Sequence, residues 1–294
     1  MPYAHHGSVE LYYETFGDPA HPALLLVNGL GSQCINYRSE WCEQWVARGF
    51  FTIRFDNRDV GLSTKFDQVP PDFAGAMAAL TEGRRPEVAY RLADMAGDAV
   101  AVLDALGIER AHVLGVSMGG MIVQQLAIDH ADRLLTMTSV MSTTGERAVG
   151  QASPEALAIL MGPPATDRGS AIERHLLGQR TFGSPAHYDE ERQRQFAAEA
   201  FDRSFHPDGV ARQLIGVVVS GSRAEALRAV TVPALVLHGD ADTLVDISGG
   251  RRTAECIPGA RFEVMEGMGH DYPPAYWSRW MDLVAEHTGV AASA

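Results

Sequence analysis

Gly115-Val116-Ser117-Met118-Gly119 decides how this chain is read, because a short apolar run precedes it and a helical pattern follows it. His112 to Val116 has the composition of a short buried strand. From Met118 onward Ile122, Val123, Leu126 and Ala127 recur at helical spacing, and the pattern ends near Asp129-His130. The serine between them therefore stands on a sharp strand-to-helix turn. A turn that tight strains its backbone and leaves no room for Cβ atoms beside the serine, which is why glycine stands at both ends. Hydrolases present a nucleophile in this way. The five-residue pattern alone carries little weight in a chain with 29 glycines. Its flanking strand and helix give it meaning.

Outward from this turn the same grammar repeats. Apolar runs without alternation occur at Leu24 to Val27, Phe50 to Phe55, Leu134 to Val140 and Ala234 to Leu237, and Arg261 to Met265 is also strand-like. Strands of this kind are buried on both faces, as in a parallel sheet covered by helices. Val9 to Phe16, bounded by Gly7 and Gly17-Asp18-Pro19, predicts an antiparallel strand that opens the sheet. Between strands, Glu40 to Arg48 sets Trp41 and Trp45 one turn apart and stops at Gly49, and Tyr90 to Leu106 stops at Gly107. The alternation predicts a doubly wound α/β fold with ligand sites at the carboxyl ends of its strands.

Between about Thr143 and Arg228 the alternation stops, and three or four helical segments follow one another without a strand. Ser153-Pro154-Glu155 is a sound helix start, Ala171 to Gln179 a second segment, and Tyr188 to Phe201 a charged third one. The predicted organisation is a core of residues 1–142 and 229–294 with a helical cap of 143–228 inserted in it. Phe66 to Pro86 is predicted to be a surface connection with a short central helix.

Composition narrows the function classes. Twenty-four basic against 37 acidic residues give a formal charge of −13, which repels phosphate backbones, so nucleic acid is not an expected partner. No apolar run is long enough to span a bilayer and the N-terminus has no secretory pattern, so the expected location is cytoplasmic. Cys34, Cys42 and Cys256 are scattered and odd in number, which predicts buried free thiols rather than disulfides. No histidine or cysteine spacing suits a metal, and no cofactor is expected. Oligomeric state stays open, a homo-oligomer included.

A serine nucleophile needs a base to take its proton and a carboxylate to orient that base. The order expected after the serine is an acid beyond a later strand and then a histidine near the C-terminus. His238-Gly239-Asp240-Ala241-Asp242 and Glu266-Gly267-Met268-Gly269-His270 fall where required. At these residues the chain resembles the α/β-hydrolase superfamily nearly end to end, up to a last helix beginning around Pro274. The resemblance implies a triad of Ser117, Asp242 and His270: the histidine-glycine-x-x-aspartate turn selects Asp242 over Asp240 and Asp246, and Gly269-His270 matches the histidine turn. Asp56 to Ser63 resembles the loop D-x-R-G-x-G-x-S, with Asp59 where glycine is usual, and is expected to be structural. Leu25 to Leu30, the DNRDVGLS loop and the GVSMGGM turn are similar to the actinobacterial esterase branch that includes the aclacinomycin methylesterase and lipase-like proteins.

An oxyanion hole needs two backbone N–H groups aimed at the developing charge. Met118, directly after the serine, is one expected donor. The resemblance implies Leu30 as the other, from Asn28-Gly29-Leu30-Gly31, where Asn28 stands in place of the histidine of many members and no HGGG run follows. The expected activity is hydrolysis of a small-molecule carboxylic ester through an acyl-enzyme. Serine rather than aspartate on the turn excludes haloalkane dehalogenase and epoxide hydrolase chemistry. Perhydrolysis and thioester or lactone hydrolysis use the same triad and stay open, as does a receptor that keeps the triad as a pocket lining.

Overall fold

The computed structural model describes residues 2–290. In chain order the first half holds β1 (Tyr3–His6), β2 (Val9–Phe16), β3 (Ala23–Val27), α1 (Ser39–Val46), β4 (Phe51–Phe55), α2 (Phe73–Thr81), α3 (Leu92–Ala105), β5 (Ala111–Val116), α4 (Met118–Asp129) and β6 (Leu134–Val140). Five helices then follow without a strand: α5 (Pro154–Leu160), α6 (Arg168–Phe182), α7 (Glu190–Arg203), α8 (Pro207–Ser220) and α9 (Ala224–Leu227). The chain closes with β7 (Ala234–Gly239), α10 (Ser248–Cys256), β8 (Arg261–Met265) and α11 (Pro274–Thr288).

The eight strands form one sheet in the order β1-β2-β4-β3-β5-β6-β7-β8. From β4 to β8 every pairing is parallel, while β1 and β2 add an antiparallel edge. The sequence reading missed β1, so β2 does not open the sheet. Tyr3–His6 mixes two histidines with one alanine, and only pairing with the β2 register Tyr3↔Tyr12 makes it a strand. The other expected strands form within two residues of their predicted ends.

Each inner strand is buried on both faces, and its side chains alternate between two cores. Leu25 and Val27 of β3 join α3 and α4 residues such as Met95, Val102, Ile122 and Val123. Leu24 and Leu26 point the other way, onto Trp41 and Trp45 of α1 and Trp277 and Trp280 of α11. All four tryptophans thus fill one face of the sheet.

The order reverses at β3, whose two neighbours are β4 and β5, and a crevice opens there at the carboxyl ends of the strands. The register pairs Val27 with Gly115, which sets the Asn28–Gly31 loop beside Ser117. Val116 pairs with Val140, and Val140 with Leu237, so the loops after β6 and β7 rise at the same edge.

Asp56-Asn57-Arg58-Asp59 is structural, as expected, and each residue reaches a different neighbour. Asp56 Oδ1 accepts the Cys34 N–H at 2.6 Å and Asn57 Nδ2 donates to the Asn28 carbonyl at 3.0 Å. Arg58 pairs with Asp98 of α3 through two 2.6 Å bonds. Asp59, left-handed at φ 71°, accepts from Arg212 of α8 at 2.8 and 2.9 Å. The three cysteines are free and buried. Among the described residues no helix is long and apolar enough to cross a membrane.

Candidate active site

Ser117 stands between β5 and α4 at φ 55°, ψ −120°, a conformation that L residues rarely adopt. The surrounding glycines make the turn sterically possible. A Cβ on Gly115 would run into the Gly119 carbonyl, and one on Gly119 into the carbonyl of Val27. The Ser117 N–H is fixed by the Val140 carbonyl at 2.9 Å, so the strained residue is held from β6. Its side chain is aimed at His270.

His270 Nε2 lies 2.9 Å from Ser117 Oγ, and His270 Nδ1 lies 2.7 Å from Asp242 Oδ2. Asp242 and His270, separated by 28 positions in sequence, meet because β7 and β8 are parallel neighbours whose following loops rise at one edge. Asp242 Oδ1 is occupied by the N–H groups of Leu244 and Val245, both at 2.9 Å, which leaves Oδ2 for the imidazole. Asp240 instead accepts the Gly267 N–H at 2.7 Å, and Asp246 accepts the Ser248 N–H at 2.9 Å. Of the three aspartates, Asp242 is the one brought to His270.

Burial opposes the ionisation of Asp242. The charge of His270 and its 2.7 Å hydrogen bond outweigh burial and hold the carboxyl well below the usual carboxylate range. His238 Nε2 is 2.8 Å from the Val245 carbonyl and 3.5 Å from Asp242 Oδ2. Its proton therefore goes to the carbonyl, and His270 is the stronger partner of the acid. His238 is fully buried at the end of β7.

Gly29 packs on the serine: a Cβ there would stand 3.2 Å from Ser117 Cβ and 3.7 Å from its Oγ. Leu30 and Met118 border the same cavity as Ser117 and His270. Neither backbone N–H has a protein acceptor among the described residues. The cavity measures about 1970 Å³, and residues of α5 to α8 form part of its wall. Met268, beside the histidine turn, is fully buried in the tryptophan core and does not face the cavity.

The sequence reading missed a second set of residues, most of them in the segment between β6 and β7. The Phe182 carbonyl accepts the His270 N–H at 2.5 Å, and Ser184 Oγ accepts the Gly269 N–H at 3.0 Å. Ser184 in turn donates from its N–H at 3.0 Å and its hydroxyl at 2.5 Å to Asp271 Oδ1. The histidine turn is thus clamped on both sides of His270. These bonds are made largely to backbone groups, which leave no mark in a sequence pattern.

The profile of the alpha/beta hydrolase fold matches residues 22–272. The chain belongs to this family. It is 32% identical to rhodomycin D methylesterase of Streptomyces sp. (strain C5), over 96% of each chain. A putative carbamate hydrolase of Caulobacter sp. (strain K31) is 29% identical over 90% of this chain and 91% of that one. The 3-oxoadipate enol-lactonase 2 of Acinetobacter baylyi is 25% identical over 88% of this chain and 85% of its own length. Among solved structures, the enol-lactonase of Burkholderia xenovorans LB400 superposes with a TM-score of 0.72 at 20% identity, covering 98% of this chain and all of that one, which bears on the fold.

Proposed function

We propose that this chain is a carboxylic ester hydrolase that works through Ser117, His270 and Asp242. The observation that carries the reading is the relay of 2.9 and 2.7 Å from Ser117 Oγ through His270 to Asp242, on a strained turn that faces a large cavity. Ser117 Oγ attacks the ester carbonyl while His270 Nε2 takes its proton. Asp242 orients the ring and stabilises the imidazolium. The oxyanion is met by the N–H groups of Met118 and Leu30, and His270 then protonates the departing alcohol. Water, activated by the same histidine, releases the acid and regenerates the serine.

Residues 143–228 act as the cap in this reading, over a core of 1–142 and 229–294. Leu30, Met121, Leu160, Phe196, Phe201 and Leu214 give the cavity an apolar wall. A bulky apolar ester suits that space, and the likeness to a methylesterase supports an ester with a small alcohol and a large acid. The enol-lactonase relative favours a second reading, lactone hydrolysis, because a lactone is an internal ester open to the same attack.

The test is hydrolysis of p-nitrophenyl esters of increasing acyl length, beside a lactone panel, by wild type and Ser117→Ala. Turnover by the wild type and a fall of roughly 10⁶-fold in kcat for Ser117→Ala are expected, with folding intact. Retention of wild-type turnover by Ser117→Ala would sink the proposal, and a folded wild type that binds esters without turning them over would point to a receptor.

A further inference from the structure

One buried turn of α8 meets the loops that border Ser117. Arg212 pairs with Asp59, and Val210 packs against Gly31 so closely that a Cβ there would stand 3.1 Å from its methyl carbon. Between them in space, Gln213 is fully buried and both ends of its amide are used. Its Oε1 accepts the Gly31 N–H at 2.8 Å and its Nε2 donates to the Arg58 carbonyl at 2.8 Å.

The loop it grips is a tight turn. The Ser32 N–H donates to the Gly29 carbonyl at 3.2 Å, and Gly31 in the third position has φ 67°, while Leu30 before it keeps a negative φ. That is a type II turn, which needs glycine in its third place. Its central peptide, Leu30–Gly31, can face either way, and the two orientations separate type I from type II. Gln213 Oε1 holds the orientation present here. The preceding peptide, Gly29–Leu30, has its carbonyl tied to Ser32. Because N–H and C=O of a trans peptide point in opposite directions, the Leu30 N–H is directed away from Ser32. Both peptides that meet at Leu30 are therefore held, one by the turn itself and one by Gln213.

We infer that Gln213 is a positioning residue for the oxyanion hole. It acts on the Leu30 N–H through Gly31, from a helix between β6 and β7. The inference rests on the proposed roles of Ser117 and Leu30. A donor is worth most where charge develops, so loosening it slows the chemical step more than it weakens ground-state binding. The helix that walls the substrate cavity then also sets the rate.

The experiment compares kcat and KM for a p-nitrophenyl ester, inhibition by an alkyl boronic acid, and thermal unfolding, in wild type, Gln213→Leu, Gln213→Glu and Ser117→Ala. The boronic acid adds to the serine and places an oxygen in the hole. Gln213→Leu removes both amide bonds, and kcat is expected to fall roughly 10- to 100-fold with KM within about twofold and boronate inhibition weakened in step. Gln213→Glu keeps an acceptor for Gly31 and is expected to recover much of kcat. Should Gln213→Leu fail to fold, Gln213→Asn takes its place, since its amide is one methylene too short to reach Gly31.

An unchanged kcat in Gln213→Leu or Gln213→Asn would overturn the inference. So would an equal fall in Gln213→Glu, because the Arg58 bond alone would then explain the loss. If Ser117→Ala kept its turnover, the underlying reading would fail instead, whatever Gln213 did.

Discussion

Ser117, Asp242 and His270 follow β5, β7 and β8 by one, three and five residues, whereas Phe182 and Ser184 reach the histidine loop, and Gln213 the loops after β3 and β4, from a segment that holds no strand. The two regions hold the site by different means. At the strand ends the sheet register does the placing, and side chain meets side chain. On the helices the gripping groups are a carbonyl, a hydroxyl and an amide, and what they hold is mostly backbone N–H. In the proposed mechanism, chemistry thus falls to one region and alignment to the other.

The sharpest break in this comparison lies inside one turn. Asp242 and Asp240 are two residues apart, yet one meets His270 and the other the Gly267 N–H. Asp242→Asn is expected to lower kcat about 10⁴-fold because the imidazole loses the partner that fixes its tautomer. Asp240→Asn should stay within a few-fold of wild type. The reverse ranking in ester turnover would show that placement by register had been misread.

A test of how firmly the two regions are joined comes from Asp59. Glycine there would relieve the left-handed backbone, worth about 1–2 kcal/mol. It would also strand the Arg212 guanidinium, whose side chain is 3% exposed, and free the Tyr90 hydroxyl that donates to Asp59 at 2.6 Å. Breaking a buried pair costs about 3–5 kcal/mol, so Asp59→Gly should be net destabilising by roughly 1–4 kcal/mol in denaturant unfolding. A gain in stability would mean that strain outweighs the tie to α8.

How much of this was legible in the sequence follows the same division. Inner parallel strands read as apolar runs because both faces are covered, so Leu134–Val140 forms with the ends expected, and the edge strand Arg261–Met265, half-buried and less apolar, also forms with the ends expected. The capping serine at 153 begins α5 and accepts the Ala156 N–H, again as expected. Ser117 and His270 were legible because glycine turns punctuate the chain beside them, and Asp242 was singled out from Asp240 and Asp246 by the family resemblance. β1 was not, since its stability comes from pairing rather than composition. Gln213 was not either, because a lone glutamine in an apolar helix gives no sign of whether its amide faces water or a peptide. The charged segment expected from Tyr188 to Phe201 forms α7, and its Arg192 and Gln193 border the cavity.

The finest test concerns Asp271, the carboxylate that binds Ser184 and so belongs to the clamp on His270. Burial raises its pKa, and the two hydrogen bonds from Ser184 lower it without cancelling that rise. The folded state therefore keeps this proton to a higher pH than the unfolded chain does. The stability it contributes is complete below the unfolded value near pH 4, and is lost as pH rises through the raised folded value. At pH 7 the ionised group is a net liability to the fold. Asp271→Asn keeps the oxygen that accepts from Ser184 and removes the charge. It should unfold a few degrees at most above wild type at pH 7 and with no such advantage at pH 4, while kcat stays within a few-fold. An advantage at pH 4 that vanished at pH 7 would reverse the sign of the argument. A large loss of kcat with unchanged stability would show that the charge itself, rather than the hydrogen-bonded clamp, serves the histidine.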